Sequence, residues 1–462
     1  MTPTHLAPWS PSGPDAFDAR KAAHLLRRAG FGARPEDVDR AVKDGVEATV
    51  EGLFDEAAAA EEERGFALAF EAIAGSFADF SEADPLRAWW VHRMVKARVP
   101  LREKLTLFWH GHFATSVEKV DDVHLMARQV DTIRRLAWGN FRDLVLALAR
   151  DPAMIVWLDG ESNTKAHPNE NFGRELMELF TCGIGHYTEA DVQAAARAFT
   201  GWHREGAEFA FKPDDHDPGR KRFLGKSGKF DGGDIVDILI QHPATARNVA
   251  AKLLRYFACP EPAPEVVDEA AALLEHTRLD VKWFLRELFG SRYFFSPACY
   301  RSRIASPAEF VVGTVRGLGV RWVASEMAGQ LNSMGQTLLA PPNVKGWDGE
   351  KRWINSSTWA ARTACAGTIA RLETGGPFGA NLDPSALVPD SLREPAEVVD
   401  RLAEILLQGD LAPGTRRELA EYLATTEDGQ SSHSFRDDDE VRKKKTRGLL
   451  ALMLALPEYH AC

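Results

Sequence analysis

Cysteine is scarce in this chain and shows none of the spacings that build a disulfide framework or a thiolate metal site. The 462 residues include five cysteines, an odd number, and no two of them form a C-x-x-C pair. Such a set argues against both a disulfide scaffold and a structural zinc site. The sequence therefore predicts reduced, buried thiols at Cys182, Cys259, Cys299, Cys365 and Cys462.

The chain also lacks long apolar runs and an excess of positive charge. No stretch approaches the roughly 18 uninterrupted apolar residues of a membrane span, and the first residues carry no basic segment followed by an apolar one. This pattern favours a cytoplasmic protein. Lysine and arginine number 56 against 67 aspartates and glutamates, a net charge of -11, so the field of the whole chain disfavours nucleic acid as a partner.

Several widespread catalytic motifs are missing. The sequence contains no G-x-S-x-G, no P-loop, no G-x-G-x-x-G, no H-E-x-x-H and no kinase set. Serine-hydrolase, nucleotide-dependent and zinc-protease chemistry therefore have no support in the sequence.

Helical spacing of apolar residues dominates what is present. Thr188 and Asp191 form a capping-box variant before one apolar stripe, and His242-Pro243 opens another helix with proline at its first position. Alternation typical of half-buried strands is absent over consecutive segments. We predict a mainly α fold, an irregular multi-helix globular array, with at most a short hairpin in the turn-rich region 201–233.

A stretch rich in Gly and Pro after residue 373 interrupts the helical pattern. We therefore predict that the chain is divided into a main helical domain, residues 1–373, and a small C-terminal helical unit, residues 374–462, which packs on the main domain. No fixed-period repeat is visible, which disfavours a solenoid.

One predicted helix, beginning near Asn169 or Asn171, carries a polar face. Helical spacing aligns Asn171, Arg174, Glu175 and Glu178. The apolar side is formed by Phe172, Leu176, Leu179 and Phe180. The face is either a solvated surface with one Arg174–Glu178 pair, or a site in which two neighbouring carboxylates supply an acid and a base or bind a hard cation.

Two histidines flank Gly111 where the helix that starts near Leu101 ends. His110 and His112 face one way if the backbone is extended and roughly opposite ways if it is helical, so the spacing leaves their geometry undecided. As metal ligands they need a third partner. The candidates are His186, His216, Asp217, Glu175 and Glu178. Alternatively, both are histidines favoured by a helix C-terminus, and His112 is the better functional candidate.

The segment from Asn343 to Gly349 is typical of an exposed turn. Trp347, Trp353 and Trp359 lie in or near it, beside amide and hydroxyl side chains. This composition suits a platform for a saccharide or another polar ring, although tryptophans in such a place are as often part of a core.

Several blocks of this chain, in order, resemble a large bacterial family catalogued as domain of unknown function 1800. The blocks are His24–Gly32, Leu101–Thr115, Asn169–Gly185 with Tyr187-Thr188, Ala198–Trp202, His216–Gly219, His242–Ala246 and Pro341–Gly349, and Leu454–Tyr459 resembles the family's terminal helix. The resemblance implies a bacterial source and a mostly helical fold, and it brings no established reaction. Cys182 stands where the family usually has leucine, which argues against a thiol role.

The same resemblance implies a partner. Relatives are commonly encoded beside a sulfatase-like protein of another uncharacterised family, often one with an export signal. A sulfatase-like protein is therefore a candidate partner, and export together with it stays open beside the cytoplasmic prediction.

Three hypotheses follow. The first is a hydrolytic enzyme acting on a polar or saccharide-like substrate, with or without a divalent metal. Glu175, Glu178 and His112 are its catalytic residues, and the substrate is bound by Arg174, Asn171, Asn343 and Trp347. The second is a non-catalytic helical scaffold or partner of the sulfatase-like protein, its polar residues forming an internal network. The third is a metal or haem oxidoreductase that uses His110 and His112. Whichever hypothesis holds, the candidate metal ligands are His110, His112, His216 and Asp217.

Overall fold

The computed structural model describes residues 5–13, 15–74, 82–373, 380–426 and 434–462. Helices account for most of these residues, which confirms the mainly α prediction. The helices are α1 (Ala19–Ala29), α2 (Pro35–Asp44), α3 (Val46–Gly52), α4 (Glu56–Ala74), α5 (Ala83–Lys96), α6 (Pro100–His112), α7 (Val117–Val120), α8 (Val123–Leu136), α9 (Phe141–Ala149), α10 (Pro152–Trp157), α11 (Asn171–Glu175), α12 (Glu189–Ala198), α13 (Gly232–Ile240), α14 (Pro243–Phe257), α15 (Pro264–His276), α16 (Val281–Phe289), α17 (Pro307–Gly317), α18 (Ala324–Ser333), α19 (Ser356–Ala370), α20 (Pro384–Leu387), α21 (Pro395–Leu407), α22 (Pro413–Ala424), α23 (Ser434–Asp437) and α24 (Asp439–Leu454).

Local chemistry fixes where many of these helices begin. The Thr188 side chain accepts a hydrogen bond from the backbone N–H of Asp191, whose carboxylate accepts one from the N–H of Thr188, so α12 starts with a complete capping box. His242 caps α14 directly before Pro243. Both predicted helix starts are confirmed.

The turn-rich region 201–233 holds two short antiparallel hairpins. In the first, β1 (Trp202–Glu205) pairs with β2 (Glu208–Phe211), and in the second, β3 (Lys221–Phe223) pairs with β4 (Lys226–Gly228). The predicted region is therefore right, and it contains one hairpin more than the sequence indicates. Each pair stands alone, because the two sheets do not join.

Two hydrophobic clusters form the core. One gathers helices from α1 to α16, including the buried rings of Trp109, Phe141 and Phe257. The other joins side chains of α5, α8 and α17 to those of α19, α21 and α24, so helices after residue 380 share a core with helices before residue 370. The predicted domain boundary at residues 373 and 374 lies next to residues outside the described part, and the two-unit division stays a prediction. All five cysteines are free thiols, and four of them are buried.

Within the described ranges, none of the helices combines the length and the apolar character that crossing a membrane requires.

A buried helix cap gives the fold a pH dependence. Asp151 caps α10, and its Oδ1 accepts hydrogen bonds from the backbone N–H of Met154 at 3.0 Å and from Gln129 at 2.8 Å. Burial raises the pKa of Asp151 to about 6, so folding favours the protonated carboxyl. Below pH 3.8 the carboxyl is protonated in both the folded and the unfolded chain, and its burial costs no folding free energy of this kind. This cost grows as the pH rises towards the folded pKa of about 6 and is complete above it.

We therefore expect Asp151→Asn to stabilise the protein by about 1–3 kcal/mol near pH 8 and to have little effect near pH 4, because asparagine caps a helix without carrying a charge. Urea unfolding at both pH values measures the difference. Asp231→Asn, at the exposed cap of α13, is the control and should change stability by less than about 1 kcal/mol at either pH. An equal effect of Asp151→Asn at both pH values would contradict the prediction.

Candidate functional site

The polar helix is held at its start by two asparagines. The Oδ1 of Asn169 accepts a hydrogen bond from the backbone N–H of Asn171 at 2.9 Å, while its amide donates to the hydroxyl of Ser162 at 2.7 Å. The Oδ1 of buried Asn163 accepts from the N–H of Asn169 at 2.9 Å. These bonds fix the direction in which α11 leaves the preceding loop.

This helix changes its winding between the two glutamates of interest. Residues Asn171–Glu175 are α-helical, and Leu176–Phe180 form a π-helical turn. The backbone N–H of Gly183 and the hydroxyl of Thr181 then satisfy carbonyls of that turn. The predicted apolar side is buried at Leu176 and Phe180, while the uniform α spacing assumed for the polar face ends at Glu175. Such π turns within helices are frequent at functional sites.

Arg174 pairs with carboxylates other than the one its spacing indicates. Its guanidinium donates to Glu170 at 2.9 Å, one turn earlier, and to Glu189 at 2.8 Å, in the first turn of α12. Hydrogen bonding to Glu189 is the main reason that the pKa of Arg174 is raised. The alternative interpretation of the polar face, with an Arg174–Glu178 pair, is wrong in that detail, and Arg174 instead joins α11 to α12.

Glu178 has a phenol as its partner. The hydroxyl of Tyr187 donates to Oε2 of Glu178 at 2.9 Å. Burial, together with this bond and the nearby carboxylate charge, raises the pKa of Tyr187 to about 12. The tyrosine therefore stays protonated and keeps donating at physiological pH.

Glu175 differs from its neighbours because its carboxyl makes no hydrogen bond within the described part of the chain. It is half-buried. Burial and the charge of Glu178 raise the pKa of Glu175, although Arg174 and Lys345 act in the opposite direction. The result is a carboxyl biased towards its protonated form beside a second carboxylate.

The turn Asn343–Gly349 brings Lys345 to this face. The Oδ1 of Asn343 accepts a hydrogen bond from the backbone N–H of Lys345 at 2.8 Å, which makes a tight Asx turn. Gly346, at φ +80°, lies directly on the carbonyl of Gly111. Trp347 is half-buried against Gly111 and next to the ring of His110, at 5.7 Å between centroids. Asn343 thus shapes the turn, and Trp347 attaches it to the end of α6.

Both histidines of α6 are buried, in different surroundings. Nε2 of His112 lies 3.0 Å from the carbonyl oxygen of Phe180 in the π turn, and Nδ1 lies 3.0 Å from Nζ of Lys252. Burial lowers the pKa of Lys252 to about 8 and holds that of His112 well below its ordinary value. His110 packs between Trp90 and Trp347, its ring nitrogens have no hydrogen-bond partner among the described residues, and burial lowers its pKa to about 4.

The remaining metal candidates have separate partners. Nδ1 of His216 is 2.9 Å from the carbonyl oxygen of Thr200, and Asp217 pairs with Arg197 at 2.6 Å. The ring of His186 lies beside that of His242, at 5.8 Å between centroids. Among the residues that the structure describes, no three His, Cys, Asp or Glu side chains are arranged to hold a metal ion. The predicted ligands are therefore not brought into one group.

Asn171 makes contacts that are separate from those of Glu175 and Glu178. Its amide donates to Asp159 at 3.1 Å, and the same carboxylate oxygen pairs with Lys119 at 3.0 Å. These side chains are exposed at the start of the polar helix. Asn171 thus shares a helix with Glu175 while contacting a different loop.

The structure gathers some of the predicted residues and adds others. Glu178 contacts Tyr187, the charge of Lys345 acts on Glu175, and His112 contacts the same π turn through Phe180. Sequence reasoning missed Tyr187 and Lys345 as members of the site. The two glycines Gly183 and Gly185 could have indicated Tyr187, because closely spaced glycines favour a turn between Glu178 and Tyr187. Both adopt a positive φ in the structure.

No curated protein and no solved structure matches the chain. Residues 24–461 match the model of the family described as "Protein of unknown function (DUF1800)", and since that range is nearly the whole chain, the protein belongs to this family, as the sequence blocks predict.

Proposed function

We propose that the protein is a hydrolase in which Glu175 acts as the general acid and Glu178 as the carboxylate that assists it, on a polar, hydroxyl-rich substrate. The observation that carries the proposal is the state of Glu175, which is half-buried, without a hydrogen-bond partner in the described chain, and raised in pKa beside a second carboxylate. A carboxyl whose pKa is raised by burial and by a second carboxylate beside it is suited to donating a proton.

The surrounding side chains support different roles for the two glutamates. Tyr187 donates a hydrogen bond to Glu178, whereas Glu175 has no such donor in the described part of the chain. Lys345 is exposed near Glu175 and is available to an anionic or hydroxyl group of a substrate. Asn343 positions Lys345, and Trp347 offers an apolar ring at the base of the same turn.

In this proposal His112 is a positioning residue. Its two ring nitrogens contact Phe180 and Lys252, so it holds the π turn that follows Glu175 and does not reach a substrate. Arg174 acts in the same way, because Glu170 and Glu189 already occupy its guanidinium.

Glu175→Gln is expected to lower the hydrolytic rate by about a hundredfold, because glutamine keeps the size of the side chain and removes the proton that it donates. The assay uses the purified full chain and two series of glycosides, esters, phosphates and sulfates, one with the good para-nitrophenyl leaving group and one with the poorer phenyl leaving group. Substrates with good leaving groups need less acid, so the loss should be larger for poorer leaving groups. The basic limb of the pH profile, which reports the protonated acid, should be lost in the variant.

Glu208→Gln is the matched control, since it makes the same chemical change at an exposed residue paired with Arg128. It should retain activity within about twofold. Full activity of Glu175→Gln would contradict the proposal. So would a folded parent protein that shows no activity on any of the four substrate classes.

A second candidate function is a non-catalytic partner of a sulfatase-like protein. The observation in its favour is that Arg174, Glu178, Asn171 and His112 all have partners within the chain, as in a structural network. Co-purification of the full chain with a sulfatase-like protein encoded beside it tests this candidate. Binding that survives Glu175→Gln in a protein without hydrolytic activity would support it.

A further inference from the structure

A cavity of about 740 Å³ lies away from the polar helix. Its wall is formed by the turn between α1 and α2, by α2 and α3, by the C-terminal end of α5, and by the C-terminal end of α17 with the segment that follows it. The volume falls in the range of sites for small molecules. None of its lining residues belongs to the set around Glu175.

The charge of this wall is opposite to that of the chain. Two carboxylates line the cavity, Asp37 and Asp44, and six cations do so. The cations are Arg34, Arg40, Lys96, Arg98, Arg316 and Arg321. The chain as a whole carries a net charge of -11, so this concentration of positive charge is local. A concave surface lined by one sign of charge focuses the field on ligands of the other sign.

Half of these cations have no carboxylate partner. Asp37 pairs with both Arg34 and Arg40, and Arg98 pairs with Glu61 at 3.1 Å. In contrast, Lys96, Arg316 and Arg321 form no ion pair with any residue that the structure describes. Three cationic side chains therefore remain for a ligand.

Arg316 is fixed in place by the backbone beneath it. Its Nη1 donates to the carbonyl oxygens of Val95 at 2.7 Å, Ala97 at 2.9 Å and Met94 at 3.2 Å, which are the last carbonyls of α5. Nε is buried without a partner among the described residues. Because the guanidinium is already ordered, its positive charge is fixed at the cavity wall and adds to the field that acts on an anion there.

A glycine gives this wall its shape. Gly32, at φ +83°, lies against the backbone of Gly313 in α17, where a Cβ atom would come within 2.9 Å of the carbonyl oxygen. This approach places the turn after α1 on α17 and completes one side of the cavity. Gly32 ends the sequence block His24–Gly32, to which the acid–base site gives no role.

We propose that this cavity binds a small oxyanion with several negative charges, such as a polyphosphate or a polycarboxylate. Five of the six cations are arginines, whose planar guanidinium groups bind phosphate and carboxylate oxygens in pairs. The ligand is small because the acidic surface of the remaining chain repels an extended polyanion.

Isothermal titration calorimetry of the full chain with tripolyphosphate, pyrophosphate and citrate tests the proposal. Lys96→Gln/Arg321→Gln removes two exposed and unpaired cations, and should weaken the binding of the preferred anion by roughly tenfold. Added sodium chloride should weaken binding to the parent protein. The preferred anion distinguishes the two chemistries: tripolyphosphate indicates a phosphate ligand and citrate a carboxylate one.

The control is Lys229→Gln/Arg417→Gln, which makes the same change in charge at exposed residues outside the cavity and should bind like the parent. The proposal is overturned if none of the three anions binds, or if both double variants lose affinity equally. It is also overturned if a single-stranded oligonucleotide binds more tightly than the small anions, since that result indicates a nucleic-acid surface. None of these outcomes depends on Glu175.

Discussion

Glu309→Gln is expected to lower the free energy of unfolding by about 3–5 kcal/mol, because it removes the anion that two buried cations share and leaves Lys104 without one, while Arg303 keeps Glu350. Oε1 of Glu309 lies 2.6 Å from Nζ of Lys104 and 3.2 Å from Nη1 of Arg303, and all three side chains are almost fully buried. The other oxygen accepts the backbone N–H of Ser306 at 2.7 Å, closing the capping box of α17. One carboxylate thus connects α6, α17 and the segment before α17.

The pH dependence of this effect follows from the same contacts. Although burial acts in the opposite direction, Lys104 and Arg303 hold the pKa of Glu309 far below its ordinary value of 4.5. The stabilising contribution is therefore complete above about pH 4.5 and is lost only as the pH falls towards the strongly acid range. The difference between parent and variant should be constant from pH 6 to pH 8.

Urea unfolding followed by circular dichroism measures the loss. Glu208→Gln is the control, because it makes the same change in an exposed ion pair with Arg128, and such a pair contributes at most about 1 kcal/mol. Similar losses in the two variants would contradict the assignment of Glu309 as the shared anion of a buried network.

The parts of the fold that the sequence predicts are those governed by neighbours along the chain. Thr188 and His242 cap the helices predicted from them, because a cap needs only the next three residues. The apolar stripe containing Leu176 and Phe180 is buried as its spacing indicates. These features require no knowledge of which elements pack together.

The partners of the polar face depend on contacts between distant segments, and spacing does not contain that information. Arg174 pairs with Glu189 because α12 packs on α11, with Gly173 against Ala195. Lys345 reaches Glu175 from a turn about 170 residues later in the chain. A prediction from helical spacing alone therefore finds the location of the carboxylates and misses the side chains that surround them.

His112 is a second case in which sequence spacing does not reveal contacts between distant segments. Its place at the end of a helix is evident from the sequence, whereas its burial against Lys252 and the π turn depends on α14. A histidine that is buried in the core and a histidine that contacts a substrate can occupy the same position in a sequence pattern.

Gly346→Ala is expected to destabilise the protein by about 2–5 kcal/mol and to displace the turn that carries Lys345. The backbone at Gly346 has φ +80°, which costs a residue with a side chain about 1–2 kcal/mol. An added Cβ atom would also overlap the carbonyl oxygen of Gly111, and relieving such an overlap adds about 1–3 kcal/mol. Thermal and urea unfolding measure the total.

Gly349→Ala separates the two costs. Gly349 has a similar φ of +74°, and its nearest neighbour to an added Cβ atom is Nε1 of Trp353 at 3.9 Å, an ordinary contact. This variant should therefore show the conformational cost alone, about 1–3 kcal/mol, because a ψ of -175° at this φ places Gly349 in a region that only glycine adopts readily. Equal losses in the two variants would contradict a role for the contact between Gly346 and Gly111.

The two glycine variants should also differ at Glu175. Lys345 precedes Gly346, and its charge lowers the pKa of Glu175 against the effects of burial and Glu178. If Gly346→Ala moves the turn away from α6, that opposing charge is weakened and the pKa of Glu175 should rise further. Carbon-detected NMR titration of the glutamate carboxyls, assigned with Glu175→Gln, measures the shift. Gly349→Ala should leave the titration of Glu175 where it is, and so tie the chemistry of the polar helix to the backbone contact at the end of α6.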